Sequence, residues 1–535
     1  MVARSQDTAD AAPAAWAPLR IAVYRSLWLA LLTANIGTWM QTVGAQWLLI
    51  DEPNAATLVA TVQTANMLPI LLLALPAGTL ADSLDRRHLL IGVQCFIAAV
   101  SLVLTLLTAA GRMPPALLLT LTFALGVGQA LTLPAWAAII PELVPRTQLQ
   151  SASALGAINA NLARSLGPAL AGVLVAQAGV VTVFAVNTVT FLIFAVALLR
   201  WRPDGSRAVD VPERFTAALR AGTRYVRHSP VVRRLLWRAM LFLLPGSALI
   251  ALLPLVAVRR LGLGSGGYGV LLAALGLGAI VGALVLGWVR TNLTPGQFLL
   301  VTGLIFGAAL LVVAFVSNAW IVLAALVPAG VSWVTVLSNI NAEMQLFLPG
   351  WIRARGLGIY QVAFAGAQAV GSLVWGILAH ATGLVTTHLV AAALMILGTV
   401  TVRLWPLPDL RGVDRNPAIY FPELRLTHEP DPRVGPIMVT VAYVVCPERE
   451  DAFIEAMEQV RASRQRTGAT RWGLFREGEA AHRFIEVYQL TSWDEHLRQH
   501  TGRLTGADRE AEEQAMALVE GEPEVSHLLP AARAD

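Results

Sequence analysis

The sequence predicts an all-α membrane protein with twelve transmembrane helices in two six-helix repeats, followed by a C-terminal α+β domain. Three observations predict it: apolar segments of spanning length, the scarcity of acids within them, and an internal repeat. The 535-residue chain is 56% hydrophobic and 14% charged, where an ordinary soluble domain carries about 25% charged residues. From Pro53 to Pro203 the only carboxylates are Asp82, Asp85 and Glu142, and from Arg214 to Pro408 the only one is Glu343. A membrane explains this, since an ion at the bilayer centre costs about 3 kcal/mol by even the mildest scale.

Twelve apolar segments lie near 27–50, 57–80, 89–110, 115–140, 152–177, 179–200, 235–258, 267–290, 297–316, 320–341, 356–379 and 384–405. Each reaches the roughly 20 residues a helix needs to cross about 30 Å of hydrocarbon. Pro69, Pro134, Pro168, Pro245 and Pro328 fall inside them, as membrane helices tolerate. The division that follows is an N-terminal tail (1–20), a first six-helix bundle (21–200), a central loop (201–233), a second bundle (234–405), a Pro-rich linker (406–435) and a soluble domain (436–535).

The chain contains no lysine, so arginine sets the orientation. Alternate loops hold Arg20 and Arg25, Arg86 and Arg87, Arg146, the run from Arg200 to Arg234, Arg290, Arg353 and Arg355, and Arg403; the opposite loops hold only Arg112, Arg259 and Arg260. That asymmetry predicts that both termini are cytoplasmic. Asp7 and Asp10 precede a full-length first span, so no cleaved signal peptide is expected. Residues 1–435 carry a balance of +12 and residues 436–535 a balance of −7. The overall +5 therefore reflects inside loops plus an acidic appendage and predicts no nucleic-acid partner. Cys95 and Cys446 make neither a disulfide framework nor a zinc site, and no cofactor motif is present.

The halves repeat. Gly167-Pro168-Ala-Leu-Ala-Gly172 with Gly179 lines up with Gly371-Ser-Leu-Val-Trp-Gly376 and Gly383, and at the same offset Pro145 matches Pro349. Glycines so placed let helices approach closely in lipid, which makes Gly167, Pro168, Gly172, Gly371 and Gly376 candidate helix-packing positions. Two six-helix halves joined by a long loop fit a transporter plan. Within the basic loop, Phe215, Leu219 and Tyr225 fall near one face among Arg214, Arg220, Arg224 and Arg227; a helix lying on anionic lipid and a solvated linker both remain open. After the linker come a β-branched strand at 437–446, a helix over 448–466, a hairpin of 471–476 with 483–490, helical stretches near 492–500 and 505–520, and a strand around 525–529. The order β-α-β-β-α-β is ferredoxin-like.

Three groups of polar residues are candidates for function. The loop Gly78-Thr-Leu-Ala-Asp82-Ser-Leu-Asp85-Arg86-Arg87 sits where the second span leaves the membrane, and Glu142 ends the fourth. These charges either lock helix ends together, with Glu142 expected to pair with Arg86 or Arg87, or only set topology. Arg164 lies near mid-membrane in the fifth span, roughly 20 Å along at 1.5 Å per residue. It either holds an anionic group of a substrate or is a buried hydrogen-bond hub. Asn35, Gln41, Trp136, Asn159, Asn161, Gln361 and Gln368 complete the candidate lining of a cavity, the mixed apolar and polar surface that suits bulky amphiphilic molecules. His496 and His500 lie four apart on one helical face. That spacing can bind metal, but without further ligands a solvated helix face is expected and no metal site is assigned.

The Gly78–Arg87 loop resembles the signature between the second and third helices of major facilitator superfamily transporters, with Ser83 and Asp85 departing from it. The resemblance implies an inner gate built from Gly78, Asp82, Asp85, Arg86, Arg87 and Glu142. Leu27-Trp-Leu, Asn35-Ile-Gly-Thr-Trp-Met-Gln41, Leu133-Pro-Ala-Trp136, Ile140-Pro-Glu-Leu-Val-Pro-Arg146, Asn161-Leu-Ala-Arg164-Ser-Leu-Gly-Pro168 and Gly371-Ser-Leu-Val-Trp-Gly376 resemble the bacterial transmembrane secretion effector branch, which includes enterobactin-type siderophore exporters. The tail is similar in topology to dimeric α+β barrels of the antibiotic-biosynthesis-monooxygenase type. These resemblances imply a bacterial cytoplasmic-membrane protein that exports a small molecule, such as a siderophore, drug or secondary metabolite, by proton-coupled antiport. They further imply a homodimer through residues 436–535. The alternative is a bifunctional protein whose tail oxidises the cargo without a cofactor.

Overall fold

The computed structural model describes residues 16–83, 85–202, 215–406, 430–432 and 434–531, with side chains at all of these but 74–75, 78–83, 146, 150, 215–220, 354 and 501–502. It has two compact units, one of residues 1–212, 238–339 and 361–406, the other of 213–237, 340–360 and 407–535. The helices through residue 400 are α1 (Ala22–Leu48), α2 (Ala55–Ser83), α3 (Arg86–Ala109), α4 (Pro115–Leu143), α5 (Leu149–Arg200), α6 (Phe215–His228), α7 (Pro230–Leu255), α8 (Ser265–Asn292), α9 (Pro295–Phe315), α10 (Ala319–Phe347), α11 (Gly350–Thr382) and α12 (Leu384–Val400).

Among the described residues nine helices are long and apolar enough to cross a membrane. The difference from twelve has physical causes. α5 is a single 52-residue element that turns at Gly179, where φ is 78°, a left-handed conformation open to glycine at no steric cost. Gly383, its counterpart in the repeat, has φ 86° immediately before α12. α1 carries Asn35, Gln41 and Gln46 and α12 has only 17 residues, so neither is among the nine.

In the first half the packing core gathers Tyr24, Trp28, Ile97, Ile139, Phe191, Phe194 and Trp201. Its polar tips are spent internally: the Tyr24 hydroxyl donates to the Ala152 carbonyl at 3.2 Å and the Trp28 indole N–H to the Leu155 carbonyl at 3.0 Å, as buried amphipathic rings require. At the end of the second half, buried Arg238 donates to the carbonyls of Gly398, Thr401 and Trp405 and so caps the last turn of α12, where unpaired carbonyls gather.

The second unit holds a four-stranded sheet of β1 (Ile437–Val444), β2 (Arg471–Arg476), β3 (Arg483–Leu490) and β4 (Glu524–Leu528), with α13 (Glu450–Thr467), α14 (Trp493–Arg498) and α15 (Gly506–Met516). The strand order is β2-β3-β1-β4 and every pairing is antiparallel. Alternation sends Ile437, Val439, Val441 and Tyr443 of β1, with Phe484, Tyr488 and Leu490 of β3, into one core with Phe453, Met457, Val460 and Trp493. The same alternation buries Glu486 fully. Its carboxylate accepts from Tyr443 Oη at 2.8 Å, Trp472 Nε1 at 2.8 Å and Arg464 Nε at 3.3 Å, the pairing that burial of a charge demands.

Two expectations are corrected here. Tyr225 and Ala221 of α6 are buried, with the Tyr225 ring edge-on to Trp351 at 5.9 Å and α6 packed on α13. The described face of this helix is therefore covered by protein, neither lipid-bound nor solvated; Arg214, Phe215, Leu219 and Arg220 lie outside the described side chains. His496 and His500 are buried, not solvated. α14 and the helical turn that follows it, 499–503, carry them inward, where the His496 ring lies 5.1 Å from Trp493 and 4.9 Å from His527. Burial pushes the His496 imidazole down to about 3. Among the described residues no group of three His, Cys, Asp or Glu is arranged to hold a metal ion.

Candidate functional site

Two seams join the halves of the helical bundle. In the first, α5 meets α8: a Cβ on Gly172 would lie 2.5 Å from the Gly269 Cα, so only glycine fits on either side. Further along, Ser165 Oγ donates to the Gly276 carbonyl at 3.1 Å. In the second, α2 meets α11, with Thr57 Oγ1 on the Gly376 carbonyl at 3.4 Å and Thr64 Oγ1 on the Ala369 carbonyl at 2.8 Å. A Cβ on Gly376 would come within 2.5 Å of the Ala60 Cβ. Tyr268 crosses between them, donating to Gln46 Oε1 at 2.8 Å and stacking on Trp47 at 6.4 Å. Gly167 and Gly371 serve contacts within each half: a Cβ on Gly167 would strike Trp39 Cβ at 2.6 Å, and one on Gly371 would strike Ser247 Oγ at 2.3 Å. Pro168, beside Gly167, lies within α5 and is buried.

Both seams start at the end of the bundle that bears the turns at 49–54 and 261–264 and run partway along it. The deepest of these four hydrogen bonds are those of Thr64 on α2 and Ser165 on α5. Side-chain bonds between membrane helices average about 0.6 kcal/mol each, so four of them hold the closed end by about 2 kcal/mol, a grip that can be released. Arg164 sits at the inner limit of the first seam, its guanidinium 5.7 Å from the Trp39 ring centroid. Asn161, one turn earlier, folds its amide onto the Ala157 carbonyl, and Gln361 is exposed.

The other candidate cavity residues are placed in helix contacts. Asn35 donates to Asn159 at 2.9 Å, while Asn159 donates to the Trp28 carbonyl and is 1% exposed. Gln41 reaches Thr122 at 3.4 Å, Trp136 packs edge-on against Phe194, and Gln368 is buried. Of the set, Arg164, Asn161 and Asn35 are half-buried and Gln361 is exposed.

At the opposite end Arg86 pairs with Glu142 at 2.9 Å and also donates to the Ala138 carbonyl. Arg87 instead donates to the carbonyls of Leu198 and Leu199, capping α5. Asp85 is the N-cap of α3, accepting from the His88 amide at 2.8 Å, and that bond holds its carboxyl below the usual range. Gly78 and Asp82 lie outside the described side chains. The described contacts of this cluster stay within the first half. In the second half Arg290 donates to Asn339 at 2.9 Å, joining α8 to α10 with a neutral acceptor, a partner the sequence pattern does not single out.

The chain is similar in sequence to known transporters and shares its fold with solved ones. The chain is 27% identical over 399 residues to the multidrug efflux pump Tap of Mycolicibacterium fortuitum, covering 72% of this chain and 95% of that protein. It is 26% identical over 285 residues to the staphyloferrin A transporter of Staphylococcus aureus (strain NCTC 8325 / PS 47), covering 52% of this chain and 70% of that protein. The fold is shared with the nucleoside transporter NupG (TM-score 0.58, 12% identity, 71% of this chain and 99% of that one). It is also shared with a bacterial homologue of the lysosomal transporter Spinster in an inward-facing conformation (TM-score 0.55, 15% identity, 72% and 95%). The family model for transmembrane secretion effectors matches residues 13–535, through the tail, and the chain belongs to that family of multi-pass cell-membrane transporters in the major facilitator superfamily.

Proposed function

We propose that the protein is a secondary-active exporter of a small amphiphilic molecule, coupled to proton entry and working by alternating access of twelve spans. The twelve are the nine helices above with the bent α5 counted twice, plus α1 and α12. The observation that carries the reading is the bonding of the two halves at one end, through four side-chain hydrogen bonds. That is one half of a rocking cycle. The arginine distribution supports a bonded end outside and both termini inside, and on that reading this is the inward-open state. Cargo enters toward Arg164, Trp39, Asn161 and Gln361, where the guanidinium face suits an anionic or phenolate group. Arg86, Glu142 and the loop from Gly78 form the inner gate. In this conformation the Arg86–Glu142 pair braces the first half, so closure across the halves must come from contacts made in the other state. The named activities of the relatives, multidrug efflux and staphyloferrin A transport, support export.

Everted membrane vesicles test this. Energised vesicles should accumulate siderophore-like or drug-like compounds, a protonophore should abolish the uptake, and Arg164→Ala should reduce it at least tenfold. Uptake indifferent to both treatments would overturn the reading.

For the tail, the strand order and connectivity support a ferredoxin-like domain. We extend that reading to a homodimer, since the sheet face bearing Met438, Val444, Phe475 and Leu528 is exposed; a mass measurement on the detergent-solubilised chain separates one copy from two. No observation favours the oxidising alternative, because the buried carboxylate of Glu486 is already occupied by three donors.

A further inference from the structure

Glu495 of α14 is the centre of a charged hub within the second unit. Its two oxygens take a bidentate pair from Arg503, at 2.7 and 2.8 Å, and Arg224 of α6 approaches at 3.5 Å. The Arg503 guanidinium lies 4.7 Å from the Trp351 ring centroid, and Trp351 in turn meets Tyr225 of α6. Next to Tyr225 in space, a Cβ on Gly222 would touch Arg355 at 3.3 Å, so α6 lies close on the first turns of α11. The charges are shielded, with the Arg503 side chain 5% exposed and Glu495 and Arg224 below 20%. Burial opposes ionisation of Glu495, but the Arg503 hydrogen bond and the charges of Arg503 and Arg224 outweigh it and hold the carboxyl below its usual range. A carboxyl with a lowered folded value keeps its contribution at neutral pH and loses it only as pH falls through that value.

We propose that the tail domain is a conformational clamp: through the Glu495 hub it grips the central-loop helix and the first turns of α11, and so stabilises the state in which the seams are closed. The proposal rests on the alternating-access reading. Three stretches far apart in the chain meet at this hub, and one of them begins α11, the helix that forms the second seam at Ala369 and Gly376. A continuous helix held at its first turns resists the tilt that opening the seam requires. The bond between Arg503 and Glu495 lies inside the tail, whereas Arg224 and Trp351 belong to the gripped segments. The grip can therefore be weakened without touching the tail's own residues, and an interaction that reorientation breaks biases the equilibrium by its difference in free energy between the two states.

The test uses the full chain in membranes, with Cys95→Ser and Cys446→Ser removing the native thiols and Thr57→Cys as a reporter on the second seam. Reaction with a membrane-impermeant maleimide from outside should be slow in this parent and at least fivefold faster when Arg224→Glu and Trp351→Leu are added. Arg224→Lys, which keeps the charge, should stay within twofold of the parent. If Arg224→Glu prevents insertion, Trp351→Leu alone carries the same expectation. A labelling rate unchanged by the loosened hub would overturn the clamp and make the tail a passenger. The underlying state assignment fails in a different way: the parent Thr57→Cys thiol would then react as fast as an Arg112→Cys thiol in an outer turn. No cargo is needed for either result.

Discussion

Arg86 and Arg87 stand side by side at the start of α3, yet their guanidinium groups leave in different directions because adjacent positions on a helix do not share a face. Arg87 reaches the last-turn carbonyls of α5, which have no intrahelical donor. Arg86 faces α4 and finds Glu142 and the Ala138 carbonyl. The sequence narrowed the partner of Glu142 to these two residues and could not choose, since the choice depends on where α5 ends in space. With side chains 39% and 31% exposed, the ion pair contributes at most about 1 kcal/mol to stability. Glu142→Gln should therefore leave thermal stability nearly unchanged while transport falls several-fold, measured on the same vesicle preparation. Exchanging the charges, with Arg86→Glu and Glu142→Arg, should restore only part of the loss, because a carboxylate at 86 cannot donate to the Ala138 carbonyl. Full activity of the single variant would make the pair a matter of topology alone.

At the scale of helices and strands, the glycine pattern was readable as close packing, while the partner of each glycine was not. Periodicity shows that a helix has a small-residue face and leaves open whether it meets its own half or the other. Gly167 and Gly371 pack within a half, whereas Gly172 and Gly376 pack across. The two pairs differ because the cross-half contacts need small residues on both sides, and Gly269 and Ala60 supply them. Gly172→Leu should therefore prevent closure of the outer seam and cut transport at least tenfold with normal insertion. Gly92→Leu, at a helical glycine with nothing within 4 Å of its added Cβ, should change it less than twofold. Equal effects at the two positions would show that seam closure does not limit the cycle. The tail's strands were legible to within two residues because β-branched alternation is a local signal. Burial of Glu486 was implicit in that alternation. The inward turn of His496 and His500 was not, because it depends on how α14 lies against β4.

For the whole molecule, the repeat and the arginine bias each argue from one half of the chain to the other. The offset that aligns Gly179 with Gly383 predicts like geometry, and both residues have positive φ at the same turn of their halves. The gate loop breaks the symmetry: the acids of the first half have no counterpart near Arg290, whose partner is the amide of Asn339. On the proposed reading the arginine bias decides which end is inner, and so whether the closed seams face the medium or the cytoplasm. That assignment can be tested without any cargo. In the background lacking both native cysteines, a thiol from Glu479→Cys at the exposed hairpin of the tail should react with an impermeant maleimide in everted vesicles and be protected in intact cells. Arg112→Cys should behave in the opposite way. If the pattern were reversed, with the Arg112→Cys thiol labelled only in everted vesicles, the positive-inside argument would fail for this chain, and the seams would close the cytoplasmic end instead.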